Sequence, residues 1–236
     1  MSRRGEPSRG FETQRWHGSK RSSLRICLSV GALLLAVSFL LGPAQPVPIA
    51  LDLVPALFFG ELCETNTAWK TTWVVISAIL SPNTLRVIAG VLLIACLVVP
   101  RREGAPREAL RLPTVVWSVM LLVASVLPLA IKVFVDRPRP GLAAVSAFGP
   151  AYPSSHAAAI TAAVIGAWLV FAPLFKVHPW LVWAAVALVW LVSFARMALA
   201  VHYVTDLVGG IGLSLTFLSI ALMVITAVEK RSAASA

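Results

Sequence analysis

Charged residues are scarce in this chain of 236 residues. They make up 13% of the sequence, with ten aspartates and glutamates against 20 lysines and arginines. Soluble domains carry about 25%. Together with 58% hydrophobic residues and a mean hydropathy of +0.86, this shortage excludes both an ordinary soluble domain and a disordered chain. The three cysteines form no disulfide framework and no metal-type spacing. Cys27 and Cys96 fall inside apolar runs and Cys63 stands alone. Histidine is rare too, at His17, His156, His178 and His202. The sequence has no soluble domain, internal repeat or low-complexity tract.

What the sequence does have is long apolar runs, which read as membrane helices. Residues 1–25 form a basic tail, expected to be disordered and cytoplasmic, with binding of anionic lipid headgroups as the alternative. The first run, 26–42, reads either as an uncleaved span extending through Val47 to Ala50 or as a signal peptide ending near Gly42-Pro43-Ala44. Residues 51–81 are less regular. The stretch Trp73–Leu80 is too short to span and reads as a short interfacial helix, with Trp69 and Trp73 at headgroup level. Ser81-Pro82-Asn83 is a helix-start signal. Further spans follow at 84–100, 113–135, 155–175, 180–200 and 203–227, leaving 228–236 as a C-terminal tail. The expected fold is therefore all-α: an integral membrane bundle of six transmembrane helices in residues 26–227.

Basic residues orient the bundle. With the N-terminus inside, fourteen of the 20 lie on the inner side, in the tail, in 101–112, at Lys176 and at Lys230 and Arg231. The other six are Lys70, Arg86, Lys132, Arg137, Arg139 and Arg196. The expected topology is N-in and C-in, in the plasma membrane. Nucleic acid is not an expected partner for so apolar a chain. Membrane lipids are.

Ionisable groups at membrane helices are functional-site candidates, and three clusters fall at outer helix ends. Lys132 and Arg139 close the third span. Pro153-Ser154-Ser155-His156 opens the fourth. Arg196, His202 and Asp206 surround the start of the sixth, with His202 and Asp206 four residues apart on one helix face. Each alone has a structural explanation: a snorkelling lysine, an N-cap serine, a packing pair. Their convergence on one membrane face, from different spans, argues for a site. Three cations, Lys132, Arg139 and Arg196, suit a dianionic tetrahedral group, and Ser154, Ser155 and a helix N-terminus add donors. A carboxylate at Asp206 can orient His202 as a nucleophile, and His156 supplies a second proton-transfer group. Asp136 is the one other acid close by, and flanking arginines are expected to neutralise it. No acidic cluster suits Mg²⁺ or Zn²⁺, so metal-independent chemistry without a cofactor is expected.

The pattern Lys132-x6-Arg139-Pro140, then Pro153-Ser-Ser-His156, then Ala195-Arg196-x5-His202-x3-Asp206 resembles the three-part signature of the type-2 phosphatidic acid phosphatase superfamily over about residues 70–227. Ser155 stands where that signature has glycine and Ala195 where it has serine; neither change removes a catalytic group. The resemblance implies a six-helix bundle and a phosphohistidine mechanism. His202 is then the nucleophile, Asp206 its orienter and His156 the general acid and base. Lys132, Arg139, Arg196, Ser154 and Ser155 bind the phosphate. A bell-shaped pH profile follows. The expected substrate is a lipid phosphate or polyprenyl pyrophosphate, with phosphatidate and phosphatidylglycerol phosphate equally open. Phosphoryl transfer to an acceptor other than water is the alternative within enzymes. A non-catalytic lipid-phosphate binder or transporter is the alternative outside them.

Overall fold

The computed structural model describes residues 9–100, 108–175 and 177–235. Residues 1–8 of the basic tail, the loop 101–107 with three of its arginines, Lys176 and Ala236 lie outside the described residues. The described residues form eight α-helices: α1 (Arg9–Leu41), α2 (Ala50–Thr65), α3 (Thr67–Ile79), α4 (Pro82–Val98), α5 (Glu108–Val135), α6 (Ser155–Phe171, continued by a 3₁₀ turn to Leu174), α7 (Trp180–Ala198) and α8 (Val204–Ala234). Six stretches are long and apolar enough to cross a membrane: Ser22–Leu41, Thr67–Val98, Leu110–Val135, Ser155–Leu174, Trp180–Ala198 and Val204–Ser232.

Local chemistry explains several boundaries. Helix α1 stops at Leu41 instead of running to Ala50, because Gly42 and prolines 43, 46 and 48 cannot continue it. At its other end the backbone is helical from Arg9, within the basic tail. Ser81 accepts the Thr84 N–H at 3.2 Å and Pro82 occupies the first turn, so α4 begins where Ser-Pro-Asn predicts. At its far end α8 runs on past residue 227 to Ala234.

The single short helix expected before the second span is instead two, α2 and α3, joined at Asn66, which caps α3 through the Trp69 N–H at 2.9 Å. Their aromatic side chains turn inward. Phe59, Trp69 and Trp73 pack around Phe194 of α7, and the Trp69 indole donates to the Ala198 carbonyl at 3.1 Å. Trp117 likewise packs between helices and donates to the Ala163 carbonyl at 2.9 Å.

Helix α6 is central and touches α4, α5, α7 and α8. Its run Ala157–Ala163 is buried throughout, and small side chains are what let helix backbones approach closely in a membrane. Helix α1 lies along α8 by the same device. A Cβ on Gly212 would sit 2.6 Å from the Leu35 nitrogen, and one on Gly31 would sit 2.7 Å from the Thr216 nitrogen. This packing gathers the C-terminal ends of α1, α5 and α7 and the N-terminal ends of α2, α4, α6 and α8 at one end of the bundle.

Candidate active site

At that end a cavity of about 410 Å³ is lined by Lys132, Arg139, Ser155, His156, Arg196 and His202, together with Ser81, Pro82, Asn83, Arg86 and Phe148. Most residues expected from the three sequence clusters therefore share one cavity wall. Ser154 does not line it. Its side chain accepts the Ala157 N–H as the N-cap of α6, and it is fully buried. Ser155 is the serine that faces the cavity.

Lys132 and Arg139 are held by main-chain oxygens and Arg196 by a serine hydroxyl. Lys132 Nζ donates to the Pro150 carbonyl and, at 3.1 Å, to that of Ala151. Arg139 donates to the carbonyls of Gly149 at 2.9 Å, Val201 at 2.7 Å, and Phe148 at 3.0 Å. Arg196 donates to Ser77 Oγ at 2.6 Å, and its buried Nε finds no partner among the described residues. These contacts fix the cations without neutralising them, so the cavity keeps its positive charge.

His202 is 3% exposed. Its Nε2 lies 3.3 Å from Arg139 Nη1. A guanidinium only donates, so Nε2 accepts and the ring proton sits on Nδ1. Burial, then the charges of Arg196, Arg139 and Lys132, hold this imidazole well below its ordinary range. Both effects favour the neutral ring, with Nε2 turned to Arg139 on the cavity wall.

The orienting hydrogen bond expected from Asp206 is not formed. His202 Nδ1 and Asp206 Oδ2 are 3.5 Å apart, and Nδ1 has no hydrogen-bond partner among the described residues. The reason is the place of Asp206 in the first turn of α8. Its Oδ2 accepts the Tyr203 N–H at 2.8 Å, and its Oδ1 accepts from Arg137 at 2.6 Å. Helix-start donors attract such a carboxylate.

Asp136 is also not what its neighbours suggest. It is exposed, with φ at 44°, and its N–H bonds to the Lys132 carbonyl at 2.9 Å. It ends α5 in the left-handed conformation that Asp and Asn tolerate. Arg137 pairs elsewhere, with Asp52 at 2.7 Å and Asp206 at 2.6 Å, and lies 4.4 Å over the Tyr203 ring.

Asp52, Ser77, Arg86 and Arg137 are thus site components absent from the sequence-derived set. Arg86 reaches Ser125 Oγ at 3.0 Å and Asn83 Oδ1 at 2.8 Å from the cavity rim. A signal existed for Asp52, a lone acid in the apolar stretch 47–59, and for the two tyrosines of the chain, Tyr152 and Tyr203, both buried beside the site. Ser77 left none.

Fold and site define a helical membrane protein with a buried, histidine-bearing, cationic anion pocket at one end of the bundle. The PAP2 superfamily profile matches residues 113–230, half of the sequence, and the chain belongs to that superfamily. Among solved structures it is similar to a transmembrane PAP2-type phosphatidylglycerolphosphate phosphatase from Bacillus subtilis, with 18% identity and a TM-score of 0.40, over 68% of this chain and 96% of that one. No curated protein matches the sequence. Family and apolar helices together support, in general terms, a membrane lipid phosphatase.

Proposed function

We propose that the chain hydrolyses the phosphomonoester or pyrophosphate of a lipid or polyprenyl substrate through a phosphohistidine at His202, without a metal. The observation that carries this reading is a buried imidazole on the wall of a cavity bounded by Lys132, Arg139 and Arg196, its Nε2 3.3 Å from the Arg139 guanidinium. In the first step Nε2 attacks phosphorus, the bond to the leaving oxygen breaks, and His156 protonates that oxygen. In the second, His156 takes a proton from water, which attacks the phosphohistidine and releases inorganic phosphate. The three cations and the N–H groups at the start of α6 stabilise the non-bridging oxygens, the main requirement in phosphoryl transfer. The charge balance supports a dianion: Arg137 between Asp52 and Asp206 leaves one net negative charge beside four cations on the cavity wall, Lys132, Arg139, Arg196 and Arg86. The excess of basic residues that the sequence places in the tails and the 101–112 loop supports an extracytoplasmic site.

The test is phosphate release by the detergent-purified protein, with EDTA present, from phosphatidate, phosphatidylglycerol phosphate and a polyprenyl pyrophosphate, wild type beside His202→Ala. The expected outcome is release by wild type alone, with His156→Ala reduced about 10²–10⁴-fold as general acids are. Equal release by His202→Ala would remove the assignment.

A further inference from the structure

The cavity accounts for two of the three buried cations at this end of the bundle, Lys132 and Arg196, and for the half-buried Arg86 and Arg139. The third buried cation, Arg137, does not line it. It sits behind His202, between two carboxylates that are both fully buried. Arg137 Nη2 donates to Asp52 Oδ2 at 2.7 Å, and Nη1 donates to Asp206 Oδ1 at 2.6 Å and to Thr205 Oγ1 at 2.7 Å. Asp52 also takes the Thr205 N–H on Oδ1 at 2.9 Å and the Thr205 hydroxyl on Oδ2 at 2.7 Å. Room for this arrangement comes from Gly42, where a Cβ would lie 2.5 Å from Thr205 Oγ1 and 3.0 Å from Arg137 Nη1. A guanidinium is planar and its nitrogens are fixed relative to one another, so a fork that engages both carboxylates sets where each one stands.

We infer that Asp52 is a positioning residue for the reaction at His202, acting through Arg137 on Asp206. The inference rests on the phosphohistidine reading above. When Nε2 bonds to phosphorus the ring becomes cationic and its Nδ1 proton gains acidity. The carboxylate 3.5 Å away then has a positive partner that it lacks in the resting enzyme. Its distance and direction matter most in the transition state. Asp206 has no freedom to drift, because Oδ1 is held by Arg137, and Arg137 is held in turn by Asp52. With Asp52 neutralised, Arg137 loses its second carboxylate and keeps only Thr205 and the Tyr203 ring beside Asp206, so the pair is freer to shift away from the imidazole. The phosphate cradle of Lys132, Arg139 and Arg196 shares no hydrogen bond with Asp52. The loss is therefore expected in kcat and not in anion binding. Asp52 also lies on α2, outside the 113–230 region that defines the family.

The experiment compares wild type with Asp52→Asn, which keeps the acceptor for the Thr205 N–H and replaces Oδ2 by a donor facing Arg137. Three quantities are measured on the full-length protein in detergent: kcat, KM, and the inhibition constant of inorganic phosphate. The expected result is a kcat lower by about 10- to 100-fold, the range for residues that orient a reacting group's direct partner. KM and phosphate inhibition should stay within about threefold of wild type, because uniform binding is untouched. Arg137→Lys, which keeps the charge but loses the fork, should show the same split, and it decides the question if Asp52→Asn does not purify folded. Turnover within about threefold of wild type, or a loss confined to KM and phosphate binding, overturns the inference and leaves the phosphatase reading intact. So does failure of both variants to fold, which would make the network purely structural. A wild type that releases no phosphate overturns both.

Discussion

The two nitrogens of His202 face different neighbours, and that asymmetry is measurable. Nε2 meets a donor that cannot accept, and Nδ1 faces a carboxylate already engaged by Tyr203 and Arg137. The ring is held well below the usual imidazole range by burial and by three cations. A lowered value means that the neutral, nucleophilic form persists above it and is lost only as pH falls through it. At pH 6, where a free imidazole with a pKa of about 6.5 is mostly protonated, His202 should remain neutral with its proton on Nδ1. ¹⁵N spectra of histidine-labelled protein, with His202→Ala to assign the signal, read both features directly. An imidazolium signal from His202 at that pH would contradict the site geometry. The lowered pKa of this residue thus comes from burial and from Arg196 on α7, Arg139 in the loop after α5 and Lys132 on α5.

Helix ends build the site, and two of them carry conformational demands. Ala200, just past α7, is fully buried with φ at 50°, a position usually held by glycine. It bends the chain so that His202 follows Arg196 back toward the cavity, with the Val201 N–H returning to the Arg196 carbonyl at 3.2 Å. Ala200→Gly should relieve strain worth about 1 kcal/mol and raise the melting temperature in detergent; a lower one would show that the methyl group matters more than the backbone. Gly209 makes the opposite demand. A Cβ there would lie 2.4 Å from Tyr152 Cε2, and the Tyr152 hydroxyl is held by Ser38 at 3.0 Å, so the ring cannot yield. Gly209→Ala should destabilise by about 1–3 kcal/mol, as overpacking does, and Gly209→Ala with Tyr152→Leu should recover much of the melting temperature. At this scale the sequence was readable wherever the signal was local. Ser-Pro-Asn marked the start of α4, and apolar length marked the spans. The helix repeat expected to put His202 and Asp206 on one face does not apply, because His202 stands in the turn before α8 and meets Asp206 only at the helix start. The sequence was unreadable where a local rule had two outcomes. Asp206 at the head of a helix can serve the helix or the histidine, and Ser154 can cap α6 or face the phosphate. Only the surrounding donors decide.

Among the described residues, Arg111, Lys230 and Arg231 stand at the end of the bundle away from the cavity. Arg111, at the start of α5, bonds to the Cys96 carbonyl at 2.7 Å at the far end of α4, while Arg86, near the start of α4, reaches Ser125 at 3.0 Å in the second half of α5. The expected N-in, C-in topology then puts the cavity outside. In a background with Cys27, Cys63 and Cys96 replaced, Ser146→Cys beside the cavity should react with an impermeant maleimide in intact cells. Ser235→Cys should react only after permeabilisation, and the reverse pattern would invert the topology. Sequence reasoning speaks to this scale through charge counting, which needs no contacts, and the labelling decides whether its topology holds. It missed Asp52 and Ser77 because their contacts to Thr205 and Arg196 bridge 153 and 119 residues of chain, and no spacing rule encodes such a meeting. That dependence on α2 and α3 bears on how the catalytic region can be exchanged between proteins. Residues 113–230 carry every motif, yet Asp52 and Ser77, which hold its arginines, lie upstream. A chimaera that receives only the motif-bearing helices inherits the chemistry without its mounting. One that also receives residues 50–81 brings the arginine holders with it, and the natural unit of recombination begins at α2.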